Sequence, residues 1–255
     1  MQRRSRFDAV LFDLWGTLVA PGVAERDVVG TEMARDLGVD PTAFLRRLID
    51  SHGERFLGLT GGLRETIAGL AAACGGRPSA AQLDRAAKRR LAMTRQLLAP
   101  GAGTLRVLDR LRAAGLRLAL VTDSSIETPT VWPGCPLADR FDATVFSCLT
   151  GVRKPAPEMY LCAARAVGVA PERCLFVGDG DSHELSGAVA VAMRAVRLHD
   201  AGETVATQHV GDAEFSGPVI DSLDELLRPP WSLAGASLQP RSPERAAPPV
   251  RQERP

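Results

Sequence analysis

The chain has 255 residues, 45% of them apolar, and a formal net charge of +1, enough to bury a sizeable core as one domain or as a domain with an insert. Charge this balanced gives no reason to expect nucleic acid or an anionic membrane as partner, and no stretch approaches the roughly 18 apolar residues that span a bilayer. Five scattered cysteines without a CxxC pair argue for free thiols in a reducing cytoplasm, with neither a disulfide frame nor a zinc site.

The opening residues, MQRRSRFDAVLFD, are basic and then apolar, as in a signal peptide. Asp8 and Asp13 leave only a four-residue apolar run between them, however, and no small-residue cleavage site follows. FDAVLFD (7–13) instead predicts a strand buried on both faces. Between residues 20 and 98 no convincing strand occurs, and the pattern predicts helices over roughly 22–37, 41–57, 62–74 and 79–98. Asp40-Pro41 supplies a cap and a first-turn proline, and Ser79 with Gln82 has capping-box spacing. Further short apolar runs follow, at LRLALV (116–121), DATVFS (142–147), CLFVG (174–178) and MRAVRL (193–198), with Gly115 and Gly168 placed where helices should stop. Ser222 and Glu225 form a second capping-box pair. Seven of the last 27 residues are proline, so 229–255 is expected to be a disordered tail.

Apolar strands alternating with helices predict an α/β fold, a doubly wound parallel sheet, with the helical block of 21–98 inserted between the first and second strands and lying over the sheet. Residues 1–20 and 99–228 would form the sheet-containing core. Parallel sheets bind ligands beyond the carboxyl ends of their strands. The first strand ends on Asp13, the next on Thr122-Asp123, a third is followed by Lys154, and the fourth ends on Asp179. Each has an ordinary structural explanation: Asp13 and Asp179 suit turns or caps, and Thr122 suits the start of a helix. Lys154 is harder to explain that way, because among 31 basic residues only Lys88 and Lys154 are lysines. Converging on one rim, the four fit phosphoryl transfer through an aspartyl intermediate. One carboxylate attacks phosphorus, hydroxyl and ammonium hold the equatorial oxygens, and a second carboxylate holds Mg²⁺. The GDGD run at 178–181 lacks EF-hand spacing. His183 reads as solvent-facing, and His52, His199 and His209 suggest no site.

The order and context of VLFDLWGTLV, LVTDSS, GVRKPAPEMY and VGDGDSHELSGA resemble the haloacid dehalogenase superfamily over roughly residues 7–200. The resemblance implies a Rossmann-like core with an α-helical cap made by the insert, and most members are Mg²⁺-dependent phosphatases. It implies Asp13 as nucleophile, Thr122 and Lys154 as phosphoryl clamps, and Mg²⁺ held by Asp13, the Trp15 backbone carbonyl, Asp179 and Glu184. Trp15, Thr17 and Asp123 are then expected beside the substrate, a small phosphorylated molecule.

One position departs from the phosphatase pattern. Two residues after the nucleophile these phosphatases usually carry an Asp that protonates the leaving alcohol; here it is Trp15. General acid–base help is typically worth about 10²–10⁴-fold, or roughly 3–5.5 kcal/mol of barrier. The favoured expectation remains a phosphatase that draws its proton from Asp123, Asp181 or a cap residue such as Glu54, or that takes a substrate with a good leaving group. The alternative is a dehalogenase, whose family members carry an aromatic Tyr there, with Arg26, Arg35 and Arg55 as candidates for a substrate carboxylate. A third reading is a slow or non-catalytic phospho-ligand or protein-binding member.

Overall fold

The computed structural model describes residues 7–199, 212, 215–231 and 233. Its centre is a six-stranded, wholly parallel sheet: β1 (Ala9–Phe12), β2 (Arg117–Thr122), β3 (Ala143–Phe146), β4 (Cys174–Gly178), β5 (Arg194–Leu198) and β6 (Val219–Ile220), in the order β3-β2-β1-β4-β5-β6. β1 is central, its Ala9–Phe12 paired with Arg117–Leu120 on one side and Cys174–Val177 on the other.

Side chains of successive strand residues leave on opposite faces, and here both faces are covered. Val10 and Phe12 join Leu118, Leu120 and Val177 in one apolar layer, closed by Val107, Leu108 and Leu111 of α6 (Ala102–Ala113). Ala9 and Leu11 face the other layer, with Val121, Val145 and Phe176. That layer is closed by Met159, Tyr160 and Ala163 of α9 (Pro157–Ala166) and by Leu185 and Ala188 of α10 (Glu184–Ala190). Burial of each such Leu, Val or Phe stabilises the fold by about 1.5–3 kcal/mol.

The stretch between β1 and α6 is helical: α1 (Val23–Leu37), α2 (Pro41–Asp50), α3 (His52–Phe56), α4 (Leu63–Ala73) and α5 (Ala80–Leu97). These helices have their own apolar cluster, including Met33, Leu37, Phe44, Ile67 and Ala86. Asp40 caps α2 by accepting the Ala43 N–H at 2.8 Å, and Ser79 with Gln82 forms the capping box of α5. The single helix expected over 41–57 is broken at Ser51. The break frees the Leu48 carbonyl to accept Arg55 Nη2 at 2.8 Å and places Ser51 Oγ 3.1 Å from Arg55 Nε, so a buried arginine replaces a continuous ladder. Two short helices, α7 (Glu127–Val131) and α8 (Ser147–Thr150), follow β2 and β3.

β6 is an addition to the expected strands, two residues being too short to carry a readable alternation. Ser222 and Glu225 do form a capping box, on a 3-10 turn at Leu223–Leu227. Of the proline-rich segment 229–255, residues 229–231 and 233 are described; Leu233 is buried and Trp231 packs on the α6 side of the sheet. The remainder lies outside the described residues.

Candidate active site

The carboxyl edge of the sheet gathers the chemistry. Asp13 follows β1 directly, is buried, and extends the strand pairing by donating its N–H to the Val177 carbonyl at 2.9 Å. The chain then folds back tightly, with the Leu14 carbonyl accepting the N–H groups of Leu18 at 2.9 Å and Val19 at 3.1 Å. Gly16 makes this possible. Its φ of +80° lies in the left-handed region, and a Cβ there would stand 2.1 Å from Asp179 Oδ2. The first loop and the loop after β4 are therefore packed backbone against carboxylate.

Lys154 reaches this edge from the loop after α8. Its Nζ donates to Asp13 Oδ1 and to Glu184 Oε2, each at 2.5 Å, with all three side chains buried. Glu184 is held further by Gly180 N–H to Oε1 at 3.1 Å, while its backbone carbonyl accepts the Tyr160 hydroxyl at 2.9 Å. A Cβ at Gly178 would fall 1.9 Å from Glu184 Oε1, so glycine there is a packing requirement. Between Asp179 and Glu184, Ser182 (φ 55°) and His183 (φ 53°) are both left-handed, a strained turn of the kind found at ligand-binding loops. It delivers Glu184 inward at the head of α10.

Burial disfavours charge, and the site responds. It lifts Asp13 to about 6, with Asp179 adding to the rise and Lys154 opposing it. Burial also lifts Glu184 well above the usual carboxylate range, against the pull of Lys154. For Lys154 burial works toward the neutral amine, but Asp13, Glu184 and Asp123 outweigh it and hold the ammonium firmly charged. Oxygens of Asp13, Asp179 and Glu184 lie within 4.8 Å of one another. All-oxygen donors of this kind suit a hard divalent cation such as Mg²⁺, whose charge would offset the burial that raises Asp13 and Glu184.

Other expected residues are placed as follows. Thr122 ends β2 fully buried, one register step beyond Asp13 on the neighbouring strand, its hydroxyl donating to the Asp123 carbonyl at 3.4 Å. Thr17 Oγ1 is buried and has no partner among the described residues. Asp123 accepts the Lys154 N–H at 3.0 Å and Arg153 Nε at 3.3 Å. It thereby anchors the lysine loop and stands as a paired carboxylate. Asp181 accepts the Ser182 N–H at 2.7 Å, and Glu54 is exposed on α3. Trp15 is half-buried, with the Arg26 guanidinium 4.4 Å above its ring. Of the other arginine candidates, Arg55 is buried at the sheet edge and Arg35 is exposed on α1. Two residues carried no sequence signal that set them apart: Arg90 of α5 and Glu127 of α7, a buried ion pair joining the helical block to the core at 2.7 Å.

The family model for haloacid dehalogenase-like hydrolases matches residues 7–191. The chain belongs to that family. Its relatives include the glyceraldehyde 3-phosphate phosphatase of Pyrococcus abyssi, 33% identical over 95 residues, which are 37% of this chain and 40% of the relative. The chain thus spans about two fifths of that relative's length. Among solved structures, CbbY of Rhodobacter sphaeroides in complex with xylulose-(1,5)bisphosphate is 26% identical with a TM-score of 0.57, covering 86% of this chain and 96% of that one. The L-2-haloacid dehalogenase of Xanthobacter autotrophicus has a TM-score of 0.58 at 20% identity over 86% of this chain and 96% of its own, a likeness of fold. As a haloacid dehalogenase-like hydrolase the chain carries its four motif stretches at the ends of β1, β2 and β4 and after β3. No helix of the described residues is long and apolar enough to cross a membrane.

Proposed function

We propose that this hydrolase is a Mg²⁺-dependent phosphatase of small phosphorylated metabolites, working through an aspartyl-phosphate on Asp13. The observation that carries the reading is Lys154 Nζ, 2.5 Å from both Asp13 and Glu184, with Asp179 completing a group of three carboxylates. That arrangement pairs a nucleophile with a fixed cation and with donors for a second one. The phosphatase relative and the bisphosphate complex of CbbY agree with it.

In this mechanism Asp13 uses one carboxylate oxygen to attack phosphorus, the bond to the leaving oxygen breaks, and the phosphoryl group stays on Asp13. Water then hydrolyses the acyl phosphate and regenerates the carboxylate. Lys154 steadies the phosphoryl oxygens, and the hydroxyls of Thr122 and Thr17 offer further donors at the same rim. Asp13, the Trp15 carbonyl and Asp179 would hold Mg²⁺. Glu184, whose two oxygens already serve Lys154 and Gly180, would add its charge from behind. When bound, the cation neutralises charge that builds on the transferring group. Asp123 is tied to the Lys154 loop and Trp15 has no proton to give, so the leaving oxygen takes its proton from solvent, which favours substrates with good leaving groups. The insert of 21–98 acts as the cap over this edge, and five free cysteines suit a reducing cytoplasm.

Trp15 favours one second reading, release of halide from a 2-haloacid, for which no proton is needed. Release of phosphate from p-nitrophenyl phosphate and of chloride from 2-chloropropionate, each with Mg²⁺ and with EDTA, separates the two. Metal-dependent phosphate release that falls about 10³-fold or more in Asp13→Asn is the expected result. Metal-independent chloride release would replace this reading with the second, and silence on both would leave a binding protein.

A further inference from the structure

The loop that carries Asp179 and Glu184 is gripped from outside by a distant carboxylate. Asp212 is buried and bonds to both ends of that loop. Its N–H donates to the Gly180 carbonyl at 2.8 Å, and its Oδ2 accepts the Ser186 N–H at 2.7 Å. Its Oδ1 accepts the Ser186 hydroxyl, and His183 Nδ1 stands 3.8 Å from the same oxygen. The Asp212 carbonyl in turn accepts Arg197 Nη2 from β5. Arg197 also leaves Gly180 little room, since a Cβ there would stand 3.1 Å from its Nε.

These bonds answer a local deficit. A helix usually begins with a residue whose side chain accepts an N–H two or three places into the first turn. At the head of α10 that position is His183, whose φ of 53° is left-handed and whose side chain makes no capping bond. Ser182 before it is left-handed as well, and Gly180 lies at φ 99°. Side chains such as those of serine and histidine persist there only where surrounding contacts enforce it. This turn is what sends Glu184 inward to Lys154, so α10 forgoes its own cap in placing that carboxylate. Asp212 accepts the orphaned Ser186 N–H from 26 residues away, and its charge suits the first-turn N–H groups. We propose that Asp212 is a positioning residue: by clamping Gly180 and Ser186 it holds the turn that brings Asp179 and Glu184 to Asp13. It acts through the loop and not on the reacting atoms. The inference deepens the phosphatase reading and rests on it for the cation that the three carboxylates would hold.

The test compares wild type with Asp212→Ala, Asp212→Asn and Leu108→Ala, the last weakening the core on the opposite face of the sheet from α10. Peptide-level hydrogen exchange on the metal-free proteins reads the loop, and calorimetric titration with Mg²⁺ reads the carboxylate group. In Asp212→Ala the amides of 180–186 should exchange about 10-fold faster or more. Mg²⁺ should bind that variant about 10-fold more weakly or worse. Asp212→Asn keeps an oxygen for the Ser186 N–H and should return both readouts to within about threefold of wild type. Leu108→Ala should destabilise the fold yet leave Mg²⁺ affinity within about twofold. Should Asp212→Ala fail to fold, Ser186→Ala takes its place; it removes the hydroxyl bond alone and should shift both readouts part of the way. Unchanged loop exchange in the clamp variant, an equal change in Leu108→Ala, or Mg²⁺ affinity untouched by a loosened loop overturns the clamp. If wild type binds no Mg²⁺, the metal-dependent phosphatase falls and loop exchange alone decides the clamp. If Mg²⁺ binding weakens as expected while wild type leaves p-nitrophenyl phosphate intact, the clamp stands and the phosphatase does not.

Discussion

At position 15 an indole stands beside Asp13 with a guanidinium 4.4 Å above it, and under the proposed phosphatase mechanism the consequence depends on the leaving group. Nitrophenolate departs without a proton; an alkoxide does not. Trp15→Asp is therefore expected to raise kcat on ethyl phosphate by about 10-fold while leaving p-nitrophenyl phosphate within threefold. The gain should fall short of the about 10²–10⁴ usual for a general acid, because Arg26 would pair with the new carboxylate and keep it ionised. Trp15→Asp with Arg26→Gln should recover more of that range. Steady-state rates on the two esters check this, and a folded double variant with no gain on ethyl phosphate would refute it. At this scale Asp13, Lys154 and Asp179 were legible because each ends or follows an apolar run that can only be a strand. Arg26 and Arg55 stood out only as candidates. Arg90 and Glu127 were not legible at all: RAAKRRLAMTR offers several arginines, and nothing local says which one meets a carboxylate 37 residues away.

Between elements, the α5–α7 ion pair is the contact whose loss should be felt most. Burial alone would raise Glu127, but Arg90 and Arg55 overcome it and hold the group near 2. A carboxylate depressed in the folded state contributes stability that is complete above its ordinary value near 4.5 and lost as pH falls toward 2. That contribution is roughly 3 kcal/mol at 1.36 per unit. Glu127→Gln, which leaves Arg55 and Arg90 buried together without their carboxylate, is expected to cost about 3–5 kcal/mol near neutral pH and to flatten the loss between pH 5 and 3. Urea unfolding at both pH values measures it, and an unchanged pH slope would contradict the assignment. Helix periodicity marked the elements themselves well, capping residues included. It failed at Ser51, where a tertiary demand, the inward turn of Arg55, overrode a continuous local pattern.

For the whole molecule, the sheet was readable because strands covered on both faces must be apolar throughout, and β6 was missed for lack of length. The cost of the site is a property of the complete fold. Asp13 is raised from an ordinary 3.8 to about 6, chiefly by burial. An acid raised this way opposes folding: the penalty is absent below about 4, grows through the interval to 6, and is full above it. Its size is on the order of 3 kcal/mol. Metal-free Asp13→Asn should therefore melt higher than wild type at pH 7.5, with the difference shrinking by pH 4. Mg²⁺ should raise the wild-type Tm, as about 2.7 kcal/mol is available at a hundred times Kd, and should do little for Asp13→Asn. Calorimetric melts at both pH values, with and without the metal, give all four comparisons.

The ammonium that neutralises Asp13 arrives 141 residues later in the chain. During synthesis β1 with Asp13 and all five helices that follow it emerge long before Lys154, so a nascent chain holds a carboxylate without the ammonium that it meets in the folded state. Assembly of the reactive edge is thereby deferred until the second half of the polypeptide has been made. Any fragment released before that point carries Asp13 without its ammonium partner.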